Sequence, residues 1–116
     1  KSKKVPSFNV IGNSPLVLRE SLLDEVYTMG ENFVEAAKRV VAPGMNGPFC
    51  IEGVYDENAK FTSFEFSARI VAGTNIYMDG SPYYSLLFNE NMSMGKRIAR
   101  EIKIAEEKNE IEKIVT

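Results

Sequence analysis

Glu52 and Glu65 are the residues of this chain whose type and spacing point most directly to chemistry. They stand in two alternating segments, 49–55 and 61–69, separated by the turn-forming stretch Asp56 to Lys60. An antiparallel hairpin centred between Asn58 and Ala59 sets Glu52 opposite Glu65, Val54 opposite Ser63 and Cys50 opposite Ser67. The Cβ atoms of such a pair lie about 5 Å apart. Two ionised carboxylates there repel by about 3 kcal/mol at an effective dielectric of about 20. A shared proton, a nearby cation or a bound metal relieves that repulsion. Oxygen-only donors select a hard ion, Mg²⁺ before Zn²⁺. The alternative is a solvated polar face whose two carboxylates point apart into water.

Other groups could join that pair or act apart from it. Arg69 falls on the same face, four residues past Glu65, where a guanidinium can hold phosphate bidentately or simply pair with a glutamate. Ser67 lies between them. Asn13, in Gly12-Asn13-Ser14-Pro15, ends a strand-like run; its amide can read a ligand's donors and acceptors, or only shape the turn. Gly73-Thr74-Asn75 can form an anion-cradling nest after Arg69, or a generic turn. Met92-Ser93-Met94-Gly95-Lys96-Arg97 lacks the spacing of a phosphate-binding loop, although a helix start with two cations still attracts anions. The phenylalanines and tyrosines are spaced like core and strand residues and not like base-stacking platforms.

Composition narrows the chemistry. There is no histidine, which excludes a His-dependent triad, a His metal site and an imidazole base. The single Cys50 excludes an intrachain disulfide and a Cys-rich zinc site, and suits a reducing compartment. With no histidine to activate it, Cys50 is discounted as a nucleophile. Fourteen Lys+Arg against sixteen Asp+Glu leave a net charge of −2, too balanced for a broad nucleic-acid or membrane surface. No apolar run approaches the roughly 20 residues of a membrane helix. The 116 residues, 44% hydrophobic and without internal repeat or linker, are expected to form one domain. The first residue is Lys1, so a processed or truncated chain is expected.

The elements that must position these groups follow from periodicity. Residues 8–11 read as a short strand stopped by Gly12 and Pro15, and 16–19 as its resumption. Ser21 with Asp24 suggests a capping-box variant for a helix over about 22–41. Its apolar stripe comprises Leu22, Val26, Met29, Phe33, Ala37 and Val40. The hairpin then presents one face of Phe49, Ile51, Tyr55, Phe64, Phe66 and Ala68 for packing on a helix, and the other face carries the two glutamates. Residues 83–88 read as a short strand or helix. Ser93 caps a final helix over about 94–108, and the tail from Asn109 is frayed or a last half-turn.

Longer strings carry a family resemblance. Glu65-Phe-Ser67-Ala-Arg69 resembles the Glu-x-Asn-x-Arg strand at the metal-binding end of the ATP-grasp fold. Ile11-Gly-Asn13-Ser-Pro15, Leu18-Arg-Glu-Ser-Leu-Leu23, Pro43-Gly-Met45, Gly47-Pro-Phe49, Phe64-Glu-Phe-Ser-Ala-Arg-Ile-Val-Ala-Gly-Thr-Asn75 and Met92-Ser-Met-Gly-Lys-Arg-Ile-Ala-Arg-Glu-Ile102 resemble the archaeal formaminoimidazole-carboxamide ribonucleotide synthetase family. The resemblance spans almost the whole chain and ends at the family's C-terminus.

The resemblance implies an α+β fold over residues 1–116, the C-terminal lobe of an ATP-grasp ligase, mostly antiparallel sheet packed against two helices. It implies ATP as co-substrate with Mg²⁺ or Mn²⁺, and formate and aminoimidazole-carboxamide ribonucleotide as substrates. Formate would become formyl phosphate, which the nucleotide's 5-amino group attacks, formylating it in purine biosynthesis without a folate donor. By the same resemblance Glu52 and Glu65 fall on metal-ligand positions, and Asn13 falls on a substrate contact. Arg69 falls on a basic position where it would act catalytically on phosphate or acyl phosphate, and Thr74 and Asn75 are expected to bind substrate. Ser67 departs from the usual Asn, which weakens transfer of a third metal ligand. The N-terminal and ATP-covering lobes are expected upstream, so the chain alone is expected to be inactive. A cytoplasmic homo-oligomer that binds neither nucleic acid nor membrane is expected. The alternative is a non-catalytic paralogue or structural module of the same fold.

Overall fold

The computed structural model describes residue 7 and residues 9–115. Helix α1 (Leu23–Val40) comes first, then the hairpin β1 (Cys50–Tyr55) and β2 (Phe61–Ser67), then helices α2 (Pro82–Phe88) and α3 (Met94–Glu107). Short 3-10 turns at Glu20–Leu22, Ala72–Ile76 and Ile111–Lys113 join or follow them. The architecture is α+β, but the expected balance is reversed. Among the described residues three helices accompany a sheet of two antiparallel strands.

Of the early strands expected, Phe8 lies outside the described residues, and 9–11 and 16–19 carry no regular structure. Helix α1 begins without a capping box. The chain already winds through the 3-10 turn at Glu20–Leu22, so the amides of Leu22 and Leu23 meet the carbonyls of Arg19 and Glu20. No side chain caps the helix. Asp24 and Glu25 in the first turn and Lys38 and Arg39 in the last complement the helix dipole. Within the stripe Phe33 matters most. Its ring packs on Phe49 and Phe66 at centroid distances of 5.1 and 5.0 Å, which seats α1 on the hairpin.

The hairpin turns on Asn58. Asp56 Oδ1 accepts from the amides of Asn58 and Lys60, both at 2.9 Å, and Ala59 takes the left-handed conformation at φ 59°. A three-residue loop of this kind shifts the register by one residue. Tyr55 therefore faces Phe61, Val54 faces Thr62 instead of Ser63, and Gly53 faces Ser63. A β-bulge between Glu52 and Gly53 then absorbs Phe64, and the expected pairs return: Glu52 with Glu65, Ile51 with Phe66, Cys50 with Ser67. Gly53 is required at this point. A Cβ there would stand 2.6 Å from the Thr62 carbonyl oxygen and 2.2 Å from Phe61 Cζ.

Strand β2 stops at Ser67, two residues short of the expected end, and Ala68 and Arg69 lie in a bend. Residues 82–88 are helical: Ser81 Oγ accepts from the Tyr83 amide and Pro82 opens the first turn. Ser93 caps α3 as expected, accepting from the Lys96 amide at 3.2 Å. Gly80, at φ 80°, lets the chain pass against Met92, whose carbonyl oxygen would lie 2.0 Å from an added Cβ. Met92 is wholly enclosed, and Ala105 is the other buried apolar residue among those described.

Candidate functional site

Glu52 and Glu65 stand directly across the two strands, one half-buried and the other exposed. Local chemistry fixes the first of them. The Ser63 hydroxyl donates to the Glu52 carbonyl at 3.2 Å, closing the ladder where the bulge interrupts it. Beside Glu52, burial first and the Glu52 charge second push the Cys50 thiol up from its ordinary value. Cys50 therefore stays a neutral thiol at pH 7, which agrees with discounting it as a nucleophile.

Glu52 and Glu65 are cross-strand partners, and among the described residues no group of three or more His, Cys, Asp or Glu is placed to hold a metal ion. Mg²⁺ is commonly held through one or two carboxylates, with water and substrate phosphate oxygens completing an octahedron.

The structure does not bring Arg69 into that pair. The residue lies past the end of β2, and its Nη1 donates to the Ile70 carbonyl at 2.9 Å. Among the described residues Arg69 forms no ion pair with Glu52 or Glu65. The expected continuous face of two glutamates and one arginine is thus broken by the bend at Ala68.

Thr74 and Asn75 sit together in the 3-10 turn Ala72–Ile76, not in an extended nest. Thr74 lines a pocket of about 440 Å³, whose walls include Leu16, Leu18, Val26, Tyr77 and Tyr83. Asn75 is exposed on the same turn, and Asn13 is exposed three residues before Leu16.

Two residues of this region were not legible as site residues. Tyr77 Oη accepts from the Leu16 amide at 2.7 Å and donates to the Leu16 carbonyl at 2.9 Å. Tyr83 Oη donates to the Leu18 carbonyl. Their spacing resembles that of ordinary core aromatics, and the contacts span more than sixty residues, so no local pattern announces them.

The chain matches, over residues 1–116, the family model described as Domain of unknown function (DUF1297). A relative from Nitrosopumilus maritimus is 86% identical over the whole chain, which covers 34% of that protein. A relative from Sulfurisphaera tokodaii is 54% identical over 96% of the chain and 33% of its own length. Both are named 5-formaminoimidazole-4-carboxamide-1-(beta)-D-ribofuranosyl 5'-monophosphate synthetase. A crystal structure of an IMP biosynthesis protein PurP from Thermococcus kodakaraensis superposes with a TM-score of 0.73 at 34% identity. It is matched over 95% of this chain and 36% of its own. The chain spans about a third of the length of the curated relatives it matches.

Proposed function

The chain belongs to the family described as Domain of unknown function (DUF1297), and from that premise we propose that it is the metal-binding C-terminal lobe of an ATP-grasp ligase. The reaction is the ATP- and formate-dependent formylation of aminoimidazole-carboxamide ribonucleotide. Formate attacks the γ-phosphorus of ATP, ADP leaves, and formyl phosphate forms. The nucleotide's 5-amino group then attacks the formyl carbon, phosphate leaves, and the amine gives up a proton. Phosphorylation is needed because formate's own oxygen is a poor leaving group.

The observation that carries this reading is the cross-strand pairing of Glu52 with Glu65. Side by side, the two carboxylates would hold Mg²⁺ or Mn²⁺. When bound, the ion neutralises charge on the transferring phosphoryl group. Arg69 serves phosphate or acyl phosphate once its guanidinium gives up the Ile70 carbonyl. Asn13 and the Thr74–Asn75 turn bind the nucleotide, and Thr74 itself lines a largely apolar pocket. The name shared by relatives that are 86% and 54% identical supports the choice of nucleotide.

The remaining lobes of the same polypeptide cover this one. Its accessible surface is 9814 Å², against about 6,300 Å² for a compact monomer of this size. Val40 is 80% exposed and Phe64 66%. Spanning about a third of the length of its relatives, the isolated chain is expected not to turn over ATP by itself.

The test is ADP release by the full-length protein. It is expected only when formate, aminoimidazole-carboxamide ribonucleotide and Mg²⁺ are all present. Glu65→Gln is expected to lower kcat/KM at least 100-fold at fixed Mg²⁺, a loss of about 3 kcal/mol of transition-state stabilisation. Formate-independent ADP release, or a Glu65→Gln protein with full activity, contradicts the reading.

A further inference from the structure

We propose that Tyr77 is a positioning residue that joins the two halves of the nucleotide-binding rim, holding Asn13 in place relative to the Thr74–Asn75 turn. The inference rests on the reading of Asn13 as a nucleotide contact. Among the described residues, no backbone–backbone hydrogen bond outside the regular elements reaches residues 9–18, and those residues carry no helix or strand. Side-chain hydrogen bonds hold this backbone at Leu18, through the Tyr83 hydroxyl, and at Leu16, where the Tyr77 hydroxyl engages both the amide and the carbonyl. A single oxygen that grips both polar groups of one residue fixes the orientation of that residue, not merely its distance.

The grip is transmitted back to Asn13 by a stiff connection. Pro15 has its φ locked, and Ser14, preceding a proline, is confined to extended conformations. Few soft torsions therefore separate the anchor at Leu16 from the Asn13 amide. At its other end Tyr77 belongs to the second half of the rim. Its own amide donates to the Thr74 carbonyl at 3.1 Å, closing the 3-10 turn that carries Thr74 and Asn75. One residue is thus bonded through its backbone to the Thr74–Asn75 turn and through its hydroxyl to Leu16, three residues after Asn13.

The test uses the full-length protein. Tyr77→Phe removes one oxygen and keeps the ring in the pocket wall. It is expected to raise KM for aminoimidazole-carboxamide ribonucleotide about tenfold while KM for ATP and kcat change less than about twofold. Hydrogen exchange at the Leu16 amide should quicken in the same variant. In an Asn13→Ala background the tenfold effect of Tyr77→Phe should vanish, because the group being positioned is gone. Unchanged nucleotide KM in Tyr77→Phe, beside a raised KM in Asn13→Ala, overturns the positioning role alone. Unchanged KM in Asn13→Ala overturns the reading of Asn13, and with it the claim that Tyr77 acts through that amide. Full additivity in the double variant also overturns the proposal.

Discussion

Carboxylates placed directly opposite one another across a strand pair repel, and a sheet that served only as scaffold would gain by replacing either one. Glu52 and Glu65 nevertheless sit at one register position, with Glu52 partly withdrawn from water. The arrangement is intelligible if a cation is shared between them. Asn13 poses a different residue-scale question, since an exposed amide in a proline-bounded turn costs little to keep or to lose. If it binds nucleotide, Asn13→Ala in the full-length protein removes one or two hydrogen bonds worth about 1–3 kcal/mol together. Steady-state kinetics should then show about a tenfold or greater rise in KM for the nucleotide, with ATP binding unchanged. A lowered melting temperature with normal nucleotide kinetics would make Asn13 a turn residue only.

At the scale of the element, the bulge next to Glu52 decides which face the second glutamate occupies. Strand periodicity is two, so removing one residue of offset would turn Glu65 to the side of β2 that faces α1. Gly53 makes the bulge possible by admitting the Thr62 carbonyl, and backbone, unlike the Phe61 ring, cannot swing aside. Gly53→Ala is therefore expected to destabilise the full-length protein by about 1–3 kcal/mol in urea unfolding. An unchanged midpoint would show that the strands yield without cost. The sequence carried the alternation of both strands, and hence the Glu52–Glu65 pair, because inward and outward residues differ sharply at 49–52 and 64–67. It did not carry the offset near the turn. Asn58 and Ala59 are both acceptable turn residues, and only the left-handed backbone at Ala59 selects the three-residue loop. Nor did it carry the bend after Ser67, because Ala68 and Arg69 continue the alternation that the backbone abandons. Caps were legible where the motif is local, as at Ser93. They were misread at Ser21, where a preceding 3-10 turn had already satisfied the helix's first amides.

At the scale of the molecule, the described residues form helices and a hairpin but almost no interior. Met92 and Ala105 alone are buried among the described apolar residues, whereas Leu86 is 78% exposed. Folding energetics make such a surface costly unless it is covered, which fits a chain that spans about a third of the length of its relatives. Among the described residues two strands and three helices place Glu52 and Glu65 side by side, and in the proposed reading the nucleotide and its phosphates come from the remaining lobes. The decisive observation therefore has to come from the full-length protein. Crystals grown with Mn²⁺ and a non-hydrolysable ATP analogue would locate the ion by its anomalous scattering. A peak is expected between the Glu52 and Glu65 carboxylates, within about 2.0–2.3 Å of an oxygen of each. Mn²⁺ held by other side chains, with Glu52 and Glu65 both turned to water, would contradict the proposed reading.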